Sequence, residues 1–510
     1  VTTLLAALPL LVVVILMMGL KWGGAQAGLA GWLTALIVAA LSFGAGPRVL
    51  YWAQVQGVFR ALYVLYIIWG ALFFFRVTEA AGSLDAARRI LQRATPERTL
   101  QVLLLSWGFA SFLQGVGGFG VPVAVVAPML VSLGLTPLHA VVLPSLGHAW
   151  AISFGSLGAS YEALISATGL EGAFIGPPMA IALGFVCFVV GFIILHTASN
   201  GSIKLPGAIA WVLMAAAMSG VQYLSVQAGV MNIAAMLGAL AGLVTGSIWA
   251  LVIHRDTPPS PSESPVLART TGQILPYLLL IGVILAANLI PSVKHALNRY
   301  VVSVPVPALT LRDGTELAAG HTKPISLLGH PGALLVIVTL LTLLLARLQH
   351  ALPAGSGRQI RQKIWRSGIK STLGITTMMA MAVTMQNTGM VTVLSEGMAR
   401  LAGQLFPLIA PLLGAVGAFL TGSNTNSNVL LGAFQLQIAQ ALGLSIPLTL
   451  ALHNAGAAVG SVFAPAKVMV GCSTVGLTDG ESEALRSTAR YGLLIILALG
   501  GLGLVISWMR

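Results

Sequence analysis

Apolar residues in this chain run on through whole segments, divided by short polar or glycine-rich interruptions, rather than alternating at the period of a strand. Residues 4–20, 26–43, 59–75, 174–195, 208–226, 231–253, 274–290, 333–345, 376–387 and 493–508 read as helices. Most approach the ~20 residues that carry a helix across ~30 Å of hydrocarbon. With the broken stretches between them, the pattern predicts an all-α polytopic membrane protein of about 12–14 spanning or half-spanning helices. A long loop is expected at 291–326 and a flexible Pro/Ser-rich loop at 254–271. That loop divides an N-terminal half, 1–253, from a C-terminal half, 272–510.

Two stretches depart from regular helix. The unit near 102–158 has no Asp, Glu, Lys or Arg, yet is rich in Gly, Pro and Ser, and contains "FLQGVGGFGVPVA" at 112–124. The unit near 405–466 contains "TGSNTNSN" at 421–428. The two share weak internal likeness. FLQG matches FLTG, LGLTP matches LGLSIP, and His148 with Gly155-Ser156 matches His453 with Gly460-Ser461, at offsets of 307, 309 and 305 residues. The first copy follows a basic segment directly, and the second is separated from its basic segment by one extra span. The expected architecture is therefore two inverted repeats with broken or re-entrant segments, as in many secondary transporters.

Irregular backbone in lipid is tolerated only when buried in protein or lining a wet cavity. Gly117, Gly118 and Gly120 would let the chain turn, and Pro122 would open the returning helix, whose positive end suits an anion. In the second copy Ser423, Asn424, Thr425, Asn426 and Ser427 offer caps and hydrogen-bond donors. With Gln114 these residues are the candidate substrate-binding set. The glycines would equally allow close helix packing, and 421–428 could be a plain loop. His148, His453, Ser461 and Lys467 are coupling candidates, the histidines as groups that titrate near neutrality.

Composition sharpens the class. Of 510 residues 57% are hydrophobic and 8% charged, with mean hydropathy +0.93, against about 25% charged in soluble domains. The net charge of +13 does not point to nucleic acid. Its arginines and lysines cluster in two segments, Arg76 to Arg98 and Arg347 to Lys370, which read as cytoplasmic loops beside a lipid bilayer. Cys187 and Cys472 lack CxxC spacing and read as inert. No cofactor and no metal site is expected. An intramembrane enzyme is the rival class, but no HExxH, GxSxG or paired aspartates support it.

"FLQGVGGFGVPVA", "FLTGSNTNSNVLLGAFQ", "VGLTDGESEALRSTARYGL" and "TPERTLQ" resemble the L-lactate permease family of bacterial secondary transporters, in order along essentially the whole chain. The resemblance implies uptake of a 2-hydroxymonocarboxylate such as lactate or glycolate across the bacterial cytoplasmic (inner) membrane, coupled to protons. Another organic anion with Na⁺ coupling is the alternative, and a homodimer is compatible with it. It also implies glutamate where Gln114 stands, aspartate at Asn424, lysine at Ser461 and asparagine at His148 and His453. The chain departs from that pattern at each.

Overall fold

The computed structural model describes residues 2–20, 22–83, 95, 97–118, 120–253, 264–349, 352, 355–477 and 480–509. The first apolar runs form α1 (Thr2–Gly19), α2 (Gly24–Ser42) and α3 (Pro47–Ala80). α3 is twice as long as its apolar centre predicts, because flanking residues of moderate polarity continue the helix at both ends. The first broken unit follows as α4 (Arg98–Val116), α5 (Val121–Ser132), α6 (Pro137–Gly147) and α7 (Ala159–Thr168). Regular spans α8 (Gly172–Ala198), α9 (Leu205–Gln227), α10 (Met231–Ile253) and α11 (Ser264–Leu289) come next, then a short α12 (Pro291–Leu297). Residues 264–271, expected in a flexible loop, are thus helical, and 254–263 lie outside the described residues. Arg88, Arg89 and Arg93 of the first basic segment also lie outside them.

The expected loop at 291–326 is ordered. Beyond α12 it forms a nested antiparallel ladder: β1 (Val301–Val302) with β6 (Ile325–Ser326), β2 (Pro305–Val306) with β5 (Gly320–His321), and β3 (Leu309–Thr310) with β4 (Glu316–Leu317). Two-residue strands leave no alternation to read. The ladder is one long hairpin whose tip meets the α2–α3 turn, the Arg312 N–H donating to Gly44 O at 2.9 Å. At its base Tyr66 donates to Leu327 O at 3.0 Å.

The second half continues as α13 (Pro331–Leu348), α14 (Ser356–Asn387) and α15 (Met390–Ala402). The second basic segment is a correction: Arg358, Arg361, Lys363 and Arg366 are not a loop but the first turns of the 32-residue α14. The second broken unit is α16 (Phe406–Thr421), α17 (Asn424–Ala441), α18 (Ile446–Val462) and α19 (Pro465–Thr474), followed by α20 (Glu481–Trp508). Among the described residues ten helices are long and apolar enough to span a membrane, or up to 12 counting bent pairs. Both halves contain the same succession: helix, break, returning helix, then a second helix interrupted midway.

Glycine sets the tightest crossings. Added Cβ atoms at Gly414 and Gly456 would strike the backbone carbonyls of His453 and Pro411 between α16 and α18. A Cβ at Gly57 would sit 2.7 Å from Ala380 Cα between α3 and α14. Small residues are what allow such approach in a membrane, where packing rather than hydrophobic transfer holds helices together. Gly456→Leu should therefore markedly reduce the recovery of monodisperse protein and lower its thermal midpoint in detergent. Gly220→Leu, where a Cβ has nothing within 4 Å, should leave both near the parent values.

Candidate functional site

The first break turns on two glycines. Gly118 (φ +59°) and Gly120 (φ +83°) occupy the left-handed region, which costs a residue with a Cβ about 1–2 kcal/mol. A Cβ at Gly118 would also collide with Ser156 Oγ. Pro122 sits in the first turn of α5, where its missing N–H is not needed. Gly117 faces Phe75, whose ring atom would lie 2.7 Å from a Cβ there. The break is hydrogen-bonded across itself, Gly117 N–H to Leu113 O at 2.8 Å and Val121 N–H to Gly118 O at 3.0 Å.

The second break is capped by side chains. Gly422 is left-handed (φ +68°), and Ser423 Oγ accepts from the Asn426 N–H at 3.3 Å. A third interruption separates α6 from α7, where Ser156 (φ 46°), Leu157 (φ 57°) and Gly158 (φ 81°) are successively left-handed. Backbone strain of this kind persists only where its surroundings enforce it. Here Leu157 is fully buried and Gly158 packs on Asn232.

Polar side chains join the two broken units. Asn424 Nδ2 donates to Ser153 Oγ at 3.2 Å, and Ser153 Oγ donates in turn to Asn454 Oδ1. Ser160 and Thr425 hydroxyls bond at 2.9 Å, and Asn428 Nδ2 donates to Ser160 O at 2.7 Å. Asn424 Oδ1 is buried with no partner among the described residues. Lys467 Nζ donates to Ser461 Oγ at 3.1 Å. The ammonium thus reaches the position where the family resemblance implies a lysine.

These groups border one cavity of about 760 Å³. From the candidate set it collects Gln114, Gly120, Ser423, Asn424, Thr425, Asn426 and Lys467. Ser156, Ser160 and Gln26, not singled out from sequence as binding residues, also line it. The Gly155-Ser156 match with Gly460-Ser461 was the available signal. Gly117, Gly118, Pro122, Ser427 and Ser461 stand behind the lining. Ser427 Oγ holds Gly414 O at 2.8 Å within the α16–α17 pair. The histidines are not among the lining residues. His148 Nδ1 donates to Pro144 O at 2.6 Å, and both ring nitrogens of His453 are buried without a partner among the described residues.

Five helices begin at the cavity wall: α2 at Gly24, α5 just past Gly120, α7 at Ala159, α17 at Asn424 and α19 at Pro465. Each start presents unsatisfied N–H groups and roughly half a positive charge. Lys467 is the one charged lining residue. The wall is therefore electropositive and rich in donors, a setting for a small anion.

The profile of the L-lactate permease family matches residues 2–508. The chain belongs to the L-lactate permease family. It is 28% identical to the L-lactate permease of Bacillus subtilis (strain 168), over 93% of this chain and 90% of that protein. It is 27% identical to the L-lactate permease of Escherichia coli (strain K12), over 100% and 97%. To the glycolate permease GlcA of the same strain it is 25% identical, over 98% and 94%. Two solved transporters share the fold. The YdaH transporter of Alcanivorax borkumensis has TM-score 0.51 at 15% identity, covering 95% of this chain and 98% of that one. MtrF of Neisseria gonorrhoeae, described with a class of antimetabolite efflux pumps, has TM-score 0.52 at 14% identity, covering 96% of each.

The bridging hydroxyl of Ser153 generates a test. Ser153→Ala removes the group that links Asn424 to Asn454 and should destabilise the protein by ~1–3 kcal/mol, seen as a lower thermal midpoint in detergent. Ser219→Ala, whose hydroxyl bonds only Ala215 O of its own helix, should change it little.

Proposed function

We propose that the protein is a secondary carrier moving a small organic anion, of the 2-hydroxymonocarboxylate kind, across the bacterial cytoplasmic membrane. One observation carries the reading: five helix N-termini and a single ammonium, Lys467, surround one cavity between the two broken units. A carboxylate would take donors from Ser423 to Asn426 and charge from Lys467, with its hydroxyl reaching Gln114 or Ser160. The names of the family's lactate and glycolate permeases support this substrate class. Oppositely oriented broken units, one entered from each side of the membrane, fit the alternating access of an inverted-repeat carrier. The basic first turns of α14 and Arg76 lie at the end of the molecule opposite the hairpin tip, so the hairpin faces outward under the positive-inside rule. Transport is driven by a cation gradient, protons on our reading and Na⁺ on the alternative.

Purified protein in proteoliposomes should exchange labelled L-lactate or glycolate for the unlabelled acid. Lys467→Gln should raise the half-saturation concentration roughly tenfold or more, the loss of a charge-assisted bond. Gly120→Val, which forces a β-branched residue to φ +83°, should abolish exchange in a folded, inserted protein. A wild-type protein that exchanges no 2-hydroxy acid, or a Lys467→Gln variant with unchanged kinetics, would overturn the reading. Accumulation under an imposed pH gradient, and its absence under a Na⁺ gradient alone, identifies the coupling ion.

A further inference from the structure

Glu162 is the one acidic residue between Glu97 and Glu171. It lies on α7, two residues beyond Ser160 of the cavity wall. The Tyr63 hydroxyl of α3 is directed at its carboxylate. Lys323, between β5 and β6 of the hairpin, places Nζ 4.9 Å from the centre of the Tyr63 ring, within Coulombic reach of Glu162. Tyr63 also meets the His330 ring, edge to face, with centroids 4.5 Å apart. About one helical turn along α3, Arg60 Nη1 donates to Ala167 O at 3.3 Å and to Gln386 Oε1 of α14 at 2.8 Å. Gln386 Nε2 also donates to Ala167 O at 3.0 Å, and Ser166 Oγ donates to Arg60 O at 3.2 Å. The last turns of α7 are thereby pinned to the straight helices and to the hairpin.

We propose that this cluster is the gate of the cavity on the hairpin side, and that protonation of the Glu162 carboxylate releases it. The inference rests on reading the cavity as a carrier site. One cation, Lys323, faces the Glu162 anion, and a second, Arg60, lies within Coulombic reach of Lys323. Neutralising that anion removes the attraction holding the hairpin to α7 and leaves two like charges opposed at low dielectric. Burial lowers the pKa of the Lys323 ammonium, Glu162 raises it and Arg60 lowers it, so the carboxylate is what keeps that charge in place. The other groups facing Glu162 do not compete for the proton. Tyr63 and Tyr161 are phenols, not carboxylates or imidazoles, and His330 is pushed down to about 4 by burial and then by Lys323. α14 presents Gln386, and α17 presents Thr425 and Asn428, none of which titrates.

The test needs no substrate. Ile68, on α3 at the cavity wall, is replaced by Cys in a Cys187→Ser, Cys472→Ser background. Intact cells are treated with a membrane-impermeant maleimide, and each rate is normalised to the denatured protein at the same pH. Labelling should be slow at neutral pH and rise roughly fivefold or more as the outside is acidified. Glu162→Gln should label fast at every pH, and Lys323→Gln fast at neutral pH. Parent-like slow labelling of Glu162→Gln, survival of the pH dependence in it, or no labelling in any variant overturns the gate. If Glu162→Gln is not recovered folded, Lys323→Gln decides: fast labelling supports the gate and parent-like labelling overturns it. Loss of counterflow with this labelling pattern intact would sink the carrier reading alone.

Discussion

A peptide group in hydrocarbon must be hydrogen-bonded, because no water is there to replace a lost partner. Everything distinctive about this fold follows from breaking helices under that constraint. Each interruption is closed locally before it is used. The first turns on Gly118 and Gly120 and bonds back to Leu113 and Gly118. The second is capped by Ser423. The third, at Ser156–Gly158, is enclosed by α10 and by α4, whose Gln114 carbonyl would lie only 2.8 Å from a Cβ at Gly155. The price is strain and a requirement for glycine, and what it provides is a set of helix starts that need not lie at a membrane surface.

Those starts meet. Because α5, α7, α17 and α19 all begin where a neighbouring segment ends, their N–H groups open into the same space. The space stays organised because polar side chains bind one broken unit to the other, through Ser153 with Asn424 and Asn454, and through Ser160 with Thr425 and Asn428. A network with every hydrogen bond filled would be a polar core. Here Asn424 Oδ1 is left over, an acceptor that on the proposed reading would take the hydroxyl of a 2-hydroxy acid.

Much of this was legible in the sequence, for a physical reason. Glycine, proline and clustered amides inside apolar runs are costly, so "GVGGFGVP" and "TGSNTNSN" marked both breaks, and Gln114, Gly120 and 423–426 do meet at one cavity. The histidines lie off the cavity lining, because repeat position says nothing about side-chain direction, and His148 turns to its own helix. The basic segment of α14 read as a loop because charge suggests solvent, although arginine and lysine are good helix formers. Two-residue strands carry no period, so the hairpin was invisible. Nothing in the sequence singled out Glu162. Only the fold brings Tyr63 and Lys323, from distant parts of the chain, to its side.

The two walls of the cavity differ in kind. Gln26 apart, α2, α3 and α14 contribute small or apolar residues such as Gly24, Gly374 and Ile68, whereas the hydroxyls, amides and ammonium come mainly from the broken units. A bound anion would therefore belong to the broken units and travel with them. An ammonium has three donors, and among the described residues Lys467 uses one of them, on Ser461. Without an anion that charge is enclosed with a single hydroxyl, and with one it is paired. A ligand shifts a conformational equilibrium only by its difference in affinity between the states. On the carrier reading proposed above, the difference would lie in whether Lys467 is paired while its wall passes through the low-dielectric interior, because an unpaired buried charge costs several kcal/mol. On that reading movement of the loaded unit would be favoured over that of the empty one, which is what a carrier must do to avoid dissipating its driving gradient.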